Sequence, residues 1–373
     1  MNGALRKKAE LEGLPLMDFI LRRMDEIRPA DGISRTIFAA CPNSSAVIKA
    51  SLRAARRWNS PIKFAATLNQ VDLDGGYTGL TQEEFVKTIH LEAGRLNLQV
   101  PVIIAIDHGG PWLKDAHTAA KLPFEDTLNA VKTSFEASIK AGYDLIHVDP
   151  TVDITLPKGV TIPIETVAER TLALIAHAET FRKAGCYKPI AYEVGTEEVH
   201  GGLADMATFR KFLSLLKEGL ARQGNGDVWP CFVVGKVGTD LHTTEFDPVT
   251  AGELTKIARE YGSVIKGHYT DGVINPGDYP ASGMGAANVG PEFTIAEYNG
   301  LMELENLELD LFHQGKVASC SRIGLHLQEA VIASGRWKKW LLPGEETTDF
   351  ASLSEKRRQW LIGTGCRYIW QTD

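Results

Sequence analysis

Short apolar runs alternate with amphipathic stretches through most of this sequence. Eight such runs are strand candidates, and they lie at residues 33–41, 62–67, 102–107, 144–149, 190–195, 231–238, 263–268 and 285–290. Between them, apolar residues recur at the spacing of a helix face. Strands without clean apolar and polar alternation are typical of parallel sheets that are covered on both sides. The pattern therefore predicts an α/β fold in which eight strands and their helices close a (β/α)8 barrel.

Helix start signals support this alternation. Asn43, Ser44 and Ser45 supply an N-cap before an amphipathic stretch. Thr81 is followed three residues later by Glu84, which is the pattern of a capping box. Each signal follows a strand candidate, so both fit the repeating β/α unit.

The two ends of the chain differ from the repeating units. Residues 1–30 predict a helical extension, with Ile20, Met24 and Ile27 on one face, lying across the outside of the barrel domain, residues 31–330. Residues 331–373 form a tail rich in tryptophan, namely Trp337, Trp340, Trp360 and Trp370. So apolar a tail is expected to pack on the barrel or on a partner subunit, and we expect a homo-oligomer. The Gly- and Pro-rich loop 271–285 is predicted to be a surface loop over the barrel mouth, and a lid is one role open to it.

Composition narrows the class of partner. A formal net charge of −7 disfavours nucleic acid and membrane surfaces, so small molecules are the expected partners. The five cysteines are odd in number and contain no CxxC, which predicts a reducing cytoplasm without disulfides. We find no targeting segment, no membrane span and no phosphate-binding glycine motif in a strand-to-helix setting.

Polar residues follow nearly every predicted strand. They are Asn69, Gln70, Asp107, His108, Asp149, Glu193, Asp240, His242, His268, Asp271 and Asn288. The carboxyl ends of barrel strands meet at one mouth, so these residues can share one ligand. Three imidazoles, from His108, His242 and His268, predict a divalent metal that acts as a Lewis acid, and two carboxylates, Asp107 and Glu193, remain for proton transfer.

Other interpretations of these residues remain open. A single histidine at a strand end is more often a hydrogen-bonded structural residue than a ligand. His147 lies inside a strand and is expected to be a satisfied core group, while His200 is a loop residue near the mouth. A Schiff-base lysine at Lys236 or Lys266 is conceivable, but no flanking pattern favours it.

Several motifs occur together in a fixed order. They are ATLNQVDLDGGYTGLT, AIDHGGP, LIHVDPT, ETVAERTLAL, YEVGTEEVHGG, GTDLHTT, GHYTDG and NVGPEFT, between about residues 64 and 296. In these motifs the chain resembles the GatZ/KbaZ family of tagatose-bisphosphate aldolase subunits, relatives of the class II, metal-dependent ketose-bisphosphate aldolases. The resemblance implies a TIM barrel, metal ligation by His108, His242 and His268, proton transfer by Asp107, and a place beside the metal for Glu193.

The resemblance also implies a substrate-binding set. Its members are Asn69, Gln70, Gly202, Asp271, Asn288 and Gly290, with Asn288 and the amides of residues 289–292 holding a phosphate or terminal hydroxyl. One departure is that Tyr-Thr-Asp follows His268, where class II aldolases usually carry Gly-Gly or Gly-Ala. The tail after about residue 330 has no counterpart in the motifs.

The resemblance implies a metal-dependent enzyme of the class II aldolase type acting on a ketose or ketose phosphate, either as an aldolase or as a 4-epimerase of a tagatose- or fructose-type sugar. Zinc is the expected metal, with manganese and nickel as alternatives. A non-catalytic subunit that stabilises a partner aldolase is the second hypothesis, and an isomerase that works through an enediol is a third.

Overall fold

The computed structural model describes residues 3–157, 160–195, 204–240 and 243–372. Its centre is a closed barrel of eight parallel strands in sequence order, in which the first strand pairs with the last. The strands are β1 (Ile37–Ala40), β2 (Ile62–Thr67), β3 (Val102–Gly109), β4 (Leu145–Val148), β5 (Ala191–Gly195), β6 (Phe232–Val234), β7 (Val264–Gly267) and β8 (Ala286–Val289). Each strand overlaps one of the eight predicted runs, so the predicted TIM barrel is confirmed.

Helices surround the barrel and extend beyond it at both ends. In chain order they are α1 (Gly3–Leu11), α2 (Leu16–Asp31), α3 (Ser45–Trp58), α4 (Gln82–Arg95), α5 (Asp115–Ala119), α6 (Phe124–Ala141), α7 (Ile164–Ala184), α8 (Met206–Arg222), α9 (Pro248–Glu260), α10 (Asp278–Ala281), α11 (Pro291–His313), α12 (Ile323–Ser334) and α13 (Glu355–Gly365). Short 3-10 turns lie at Gly76–Thr78, Arg336–Trp340, Phe350–Ser352 and Cys366–Tyr368. None of the described helices is both long enough and apolar enough to cross a bilayer.

The predicted caps form as the residue types require. The Ser44 hydroxyl accepts the amide N–H of Val47 at the start of α3. Thr81 and Glu84 form the reciprocal capping box of α4. Each cap satisfies amide groups that the first turn leaves without a partner and contributes about 1 kcal/mol to helix stability.

The N-terminal extension closes the bottom of the barrel. Leu16, Met17 and Ile20 of α2 are buried in one cluster with the lower inward-facing residues of the strands, among them Ile103 and Leu145. The extension was expected on the outside. It packs beneath the barrel because the apolar lower end of the barrel interior is exposed to water unless another element covers it.

The predicted apolar face of the extension is shifted toward its N-terminal half. Ile20 is buried, but Met24 is half-buried and Ile27 is exposed. The part of α2 that lies under the strands is the part that is buried, so distance from the barrel overrides the helical spacing.

The C-terminal helices build a second, smaller core. The side chains of Trp337 and Trp340 are buried with Val331, Phe350 and Leu361. Trp360 and Trp370 pack against the same cluster. The tryptophans therefore pack within this chain, against α11, α12 and α13.

Part of the loop 271–285 packs against the segment between β6 and α9. Tyr279, in the short helix α10, is buried and stacks on Phe246 with ring centroids 4.0 Å apart. Asn275 donates to the carbonyl of Phe246 at 3.0 Å, and its Oδ1 accepts the Phe246 amide at 3.3 Å. This part of the loop therefore packs against its neighbours through an aromatic side chain, and the role of the loop as a lid stays a prediction.

Candidate active site

The upper half of the barrel interior is polar. Inward-facing side chains of six strands converge there, and all are buried: Lys63, Asp107, His147, Glu193, Lys266 and Asn288. Side chains of a strand alternate between its two faces, so five of these residues lie above an apolar inward residue of the same strand, as His147 lies above Leu145, while Lys63 is the first inward residue of β2. The apolar lower half and the polar upper half are therefore two layers of one barrel interior.

Two lysines neutralise the carboxylates of this layer. Lys266 Nζ lies 2.5 Å from Glu193 Oε1 and 3.3 Å from Asp107 Oδ1. Lys63 Nζ lies 2.9 Å from Glu193 Oε2. Burial alone would raise the pKa of both carboxyls, but Lys266 and the other nearby positive groups hold both pKa values well below their usual range. Asp107 and Glu193 are therefore ionised.

The lysines respond differently to the same burial. Burial lowers the pKa of Lys63. For Lys266 burial acts in the same direction, but Glu193 and Asp107 outweigh it and raise its pKa above the usual value. Lys266 is thus an ammonium without a free lone pair, which argues against a Schiff base at this residue.

His108 reaches the mouth through an unusual backbone conformation. Successive side chains of a strand point to opposite faces, yet His108 directly follows the inward-facing Asp107. Its φ of 50° and a register shift between β3 and β4 turn its ring back over the barrel. The backbone N–H of His108 then donates to His147 Nδ1 at 3.0 Å. A left-handed non-glycine residue is strained, and such strain is concentrated at functional sites.

A carboxylate fixes the orientation of the His108 ring. Its Nδ1 lies 2.6 Å from Asp149 Oδ2, and Thr151 Oγ1 donates to Asp149 Oδ1 at 2.5 Å. Burial would lower the pKa of His108, but Asp107 and Asp149 raise it. Burial likewise acts to raise the pKa of Asp149, and the hydrogen bond to His108 lowers it to about 2. With Nδ1 held, the Nε2 atom faces the Asp107 carboxylate from 4.0 Å.

His268 shows the same division between its two nitrogens. Its Nε2 lies 3.2 Å from Glu193 Oε1, and its Nδ1 is buried without a hydrogen-bond partner. Burial lowers the pKa of His268 to about 3, with further contributions from Lys266 and His108, so the ring is neutral. The rings of His108 and His268 lie 4.4 Å apart between centroids.

These donors have the chemistry of a metal site. The ligand atoms of Asp107, His147, Glu193 and His268 lie within 4.8 Å of one another, and this buried group could hold a metal ion. The two carboxylates of this group are already paired with lysines, and His147 Nδ1 already accepts the amide N–H of His108. Among the described residues of the site, His268 Nδ1 and the neighbouring His108 Nε2 are the ring nitrogens without a hydrogen-bond partner that can offer a lone pair. A histidine with one nitrogen held by a carboxylate and the other one free is typical of a metal ligand. The residues therefore fit a divalent metal.

His147 departs from its expectation. It was expected to be a satisfied core group, but its Nε2 is buried without a partner, and it belongs to the metal-competent group. Sequence position could have indicated this, because His147 follows Leu145 by two residues and so shares its inward face. Lys63 was not among the predicted site residues, although a lysine within the otherwise apolar strand β2 could also have indicated a polar group in the barrel interior.

The remaining predicted site residues fall into two groups. His242, the third expected ligand, and Gly202, together with His200, lie outside the described residues. Among the described ones, Asn69 and Gln70 join loops to one another. Asn69 donates to the carbonyl of Leu113 at 2.9 Å, and Gln70 donates to that of Pro42 at 2.8 Å.

The strand-eight segment is arranged around two acids. Asn288 Nδ2 donates to both oxygens of Asp107, at 3.0 and 3.1 Å. The amides of Gly290 and Glu292, which were expected to hold a phosphate, donate to Asp271 Oδ1 at 2.9 and 2.8 Å. The carboxylate of Asp271 thus occupies the N-terminus of α11, where a ligand anion would otherwise bind.

A cavity of about 110 Å³ opens above this layer. Residues of the barrel mouth line it, including Asp107, His108 and His268. Two further lining residues, Trp340 and Arg367, come from the C-terminal segment. No periodicity or motif indicated Arg367, because its position depends on how the C-terminal helices fold over the barrel.

Fold and site together define a TIM-barrel protein with a metal-competent polar layer at the carboxyl ends of its strands. A family model described as D-tagatose-1,6-bisphosphate aldolase subunit GatZ/KbaZ-like matches residues 24–373, and the chain belongs to this family. Membership in this family connects the chain with a function related to that of aldolases. The match includes the C-terminal segment, for which the motifs gave no counterpart.

Two solved structures illustrate the shared fold. One is a probable tagatose 6-phosphate kinase from Sinorhizobium meliloti 1021, with 24% identity, a TM-score of 0.71, and coverage of 90% of this chain and 84% of that chain. The other is the fructose-bisphosphate aldolase of Campylobacter jejuni, with 15% identity, a TM-score of 0.52, and coverage of 78% of this chain and 81% of that chain. At these identities the similarity establishes the fold.

Proposed function

We propose that this chain is a metal-dependent enzyme of the class II aldolase type, which cleaves, forms or inverts a carbon–carbon bond beside a hydroxyl group in a ketose or ketose phosphate. The observation that carries the proposal is the pair His108 and His268. One nitrogen of each ring is held by a carboxylate, His108 Nδ1 by Asp149 and His268 Nε2 by Glu193. The other nitrogen of each ring is free, and both rings lie beside the ionised Asp107. Family membership supports the same class of chemistry.

The ligands in this proposal are His108 and His268, with His242 as the third. A divalent metal held there, zinc or alternatively manganese or nickel, supplies a Lewis acid that polarises the substrate ketone. Asp149 and Glu193 hold the outer nitrogens of the two described rings and fix their orientation. Such outer carboxylates typically change metal affinity or activity by 10- to 100-fold when they are removed.

Asp107 is the group that moves the hydroxyl proton. It lines the cavity, whereas Glu193 lies beneath it with 0% exposure and with both oxygens paired to lysines. Asn288 and Lys266 fix the position of the Asp107 carboxylate and keep it ionised. An ionised carboxylate that faces the cavity can accept a proton from a substrate hydroxyl and return it in the reverse step.

The test combines metal analysis with turnover, in the absence of any partner protein. The purified protein is assayed on ketohexoses and their phosphates, before and after chelation and after metal is restored. We expect His108→Ala to lose both metal and turnover. Asp107→Asn should retain the metal but lose turnover by a factor on the order of 10² to 10⁴, the usual contribution of a general base. Full turnover by the chelated protein would refute the proposal.

A second candidate is a non-catalytic subunit that stabilises a partner aldolase. The description of the family includes the word subunit. In addition, three apolar side chains of α11 are between 43% and 61% exposed, namely those of Leu304, Leu307 and Phe312. A partner chain could cover this surface, and so could a second copy of this chain. Turnover by the isolated protein rejects this candidate, whereas turnover that appears only when an aldolase is added supports it.

A further inference from the structure

The C-terminal segment contributes two side chains to the cavity above the barrel. Trp340 lies at the end of the turn Arg336–Trp340, and Arg367 lies in the turn Cys366–Tyr368. Both line the same cavity as Asp107 and the two histidines, and both are buried, with exposures of 8% and 6%. The wall opposite the catalytic layer is therefore built from the end of the chain.

Arg367 has unused hydrogen-bonding capacity. Its Nε donates to the carbonyl of Thr364 at 2.9 Å, and its guanidinium lies 4.8 Å from the ring of Trp340. Its Nη2 is buried without a partner, and so is the indole Nε1 of Trp340. Buried charges are normally paired, and buried N–H groups normally donate, because removal from water is otherwise unfavourable. Arg367 and Trp340 therefore each carry a buried donor without a partner, and both residues line the same cavity.

Neighbouring arginines of the same segment differ from Arg367. Arg336 pairs with Asp115 at 2.5 Å, and Arg357 pairs with Glu345 at 2.8 Å. Within the described parts of the chain no ion pair of 4.0 Å or less joins Arg367 to a carboxylate. Arg367 acts on the nearby Asp271 through its charge without forming an ion pair within 4.0 Å. A cation that no described carboxylate pairs directly, beside a cavity, is suited to an anion from outside.

We propose that Arg367 and Trp340 form a subsite for the anionic end of the substrate, either a carboxylate or a single phosphate. The inference rests on the proposed function for the location of the ketone, which lies at the histidines. A guanidinium binds planar or tetrahedral oxyanions with two parallel hydrogen bonds, and the indole N–H donates a third. The Trp340 ring also offers an apolar surface to the carbon chain of the sugar.

Charge in the cavity limits the substrate to one anionic group. Arg367 is the one lysine or arginine among the described lining residues. The amides at the start of α11 are already bound to Asp271, so they do not offer a second phosphate site. Asp107 and Asp271 also line the cavity and repel an anion that lies away from Arg367. A bisphosphate would have no second cation among these residues.

Calorimetric binding tests the subsite without the need for turnover. The probes are inorganic phosphate, fructose, fructose 6-phosphate and fructuronate, titrated into the metal-loaded full chain. We expect Arg367→Gln to weaken phosphate and the preferred anionic ketose by about 10- to 100-fold, the range for a lost hydrogen bond to a charged group. Fructose should bind unchanged. The stronger of the two anionic ketoses identifies the group as a phosphate or a carboxylate.

Three further variants separate recognition from folding. Arg336→Gln removes an arginine of the same segment that already has a partner, and it should leave all affinities unchanged. Arg367→Lys keeps the charge and should recover part of the affinity, and Trp340→Phe keeps the ring and should weaken anion binding several-fold. The subsite is rejected if folded Arg367→Gln binds phosphate and both anionic ketoses as the wild type does. If Arg367→Gln does not fold, the subsite is rejected when Arg367→Lys and Trp340→Phe both bind these anions as the wild type does.

The two proposals fail in different ways. If the protein binds anions through Arg367 but turns over no ketose, the subsite is supported and the proposed enzyme activity is refuted. If the protein turns over ketoses equally well with and without Arg367, the proposed activity is supported and the subsite is refuted.

Discussion

Asp18, beneath the barrel, gives a pH-dependent prediction that is independent of the candidate metal site. It lies in α2 between the buried residues Met17 and Phe19, and its Oδ2 is buried without a hydrogen-bond partner. Burial raises its pKa from 3.8 to about 7, which its own backbone amide only partly offsets. The folded protein therefore keeps this carboxyl protonated at pH values where the unfolded chain has ionised it.

The sign and size of the effect follow from this difference. A raised pKa contributes stability that is fully present below about pH 4 and is lost as the pH rises through about 7. Each unit is worth 1.36 kcal/mol, so the loss reaches at most about 4 kcal/mol above pH 7, of which about 3 kcal/mol falls between pH 5 and pH 8. Asp18→Asn replaces the titrating group with a neutral one of the same shape. It should stabilise the protein relative to wild type by about 1–3 kcal/mol more at pH 8 than at pH 5.

Urea denaturation followed by circular dichroism at pH 5 and pH 8 measures this difference. Asp25→Asn, on the same helix, is the matched control, because Asp25 pairs with Arg259 near the surface and should give a small change at both pH values. The reasoning is refuted if the stability difference between Asp18→Asn and wild type is the same at both pH values. It is also refuted if Asp18→Asn is less stable than wild type at pH 8.

Two other substitutions test the barrel interior. Lys266→Met removes one partner of the buried Glu193 and should destabilise the protein by about 3–5 kcal/mol in urea denaturation. Adding Glu193→Gln should recover part of this loss, and strictly additive effects of the two substitutions would contradict the coupling. Gly110→Ala would place a methyl group 1.8 Å from the carbonyl oxygen of Asp149 and should greatly reduce soluble yield and stability. The control is Gly94→Ala, in a helix with open space around it, which should stabilise the protein by about 1 kcal/mol. Equal behaviour of the two variants would rule out the steric explanation.

The site divides into parts that sequence order determines and parts that it does not. Asp107 and His108 were located correctly at the end of β3, because strand ends follow from the apolar runs. That both side chains face the mouth was not predictable, since it depends on the left-handed backbone of His108 and on the irregular pairing of β3 with β4. Burial of Lys63 and Lys266 beside Glu193 likewise depends on the closure of the barrel, which brings together strands that are far apart in the chain.

By itself the sequence determined the eight β/α units, their order and the helix caps, because these depend on hydrophobic spacing and on residues within a few positions of one another. Tertiary structure alone decided the roles of the two ends of the chain. Leu16 and Met17 pack beneath the barrel, and Arg367 reaches the cavity above it. The physical reason is that an apolar or charged side chain acquires its partner only after distant segments have packed, and local periodicity carries no information about which segments will meet.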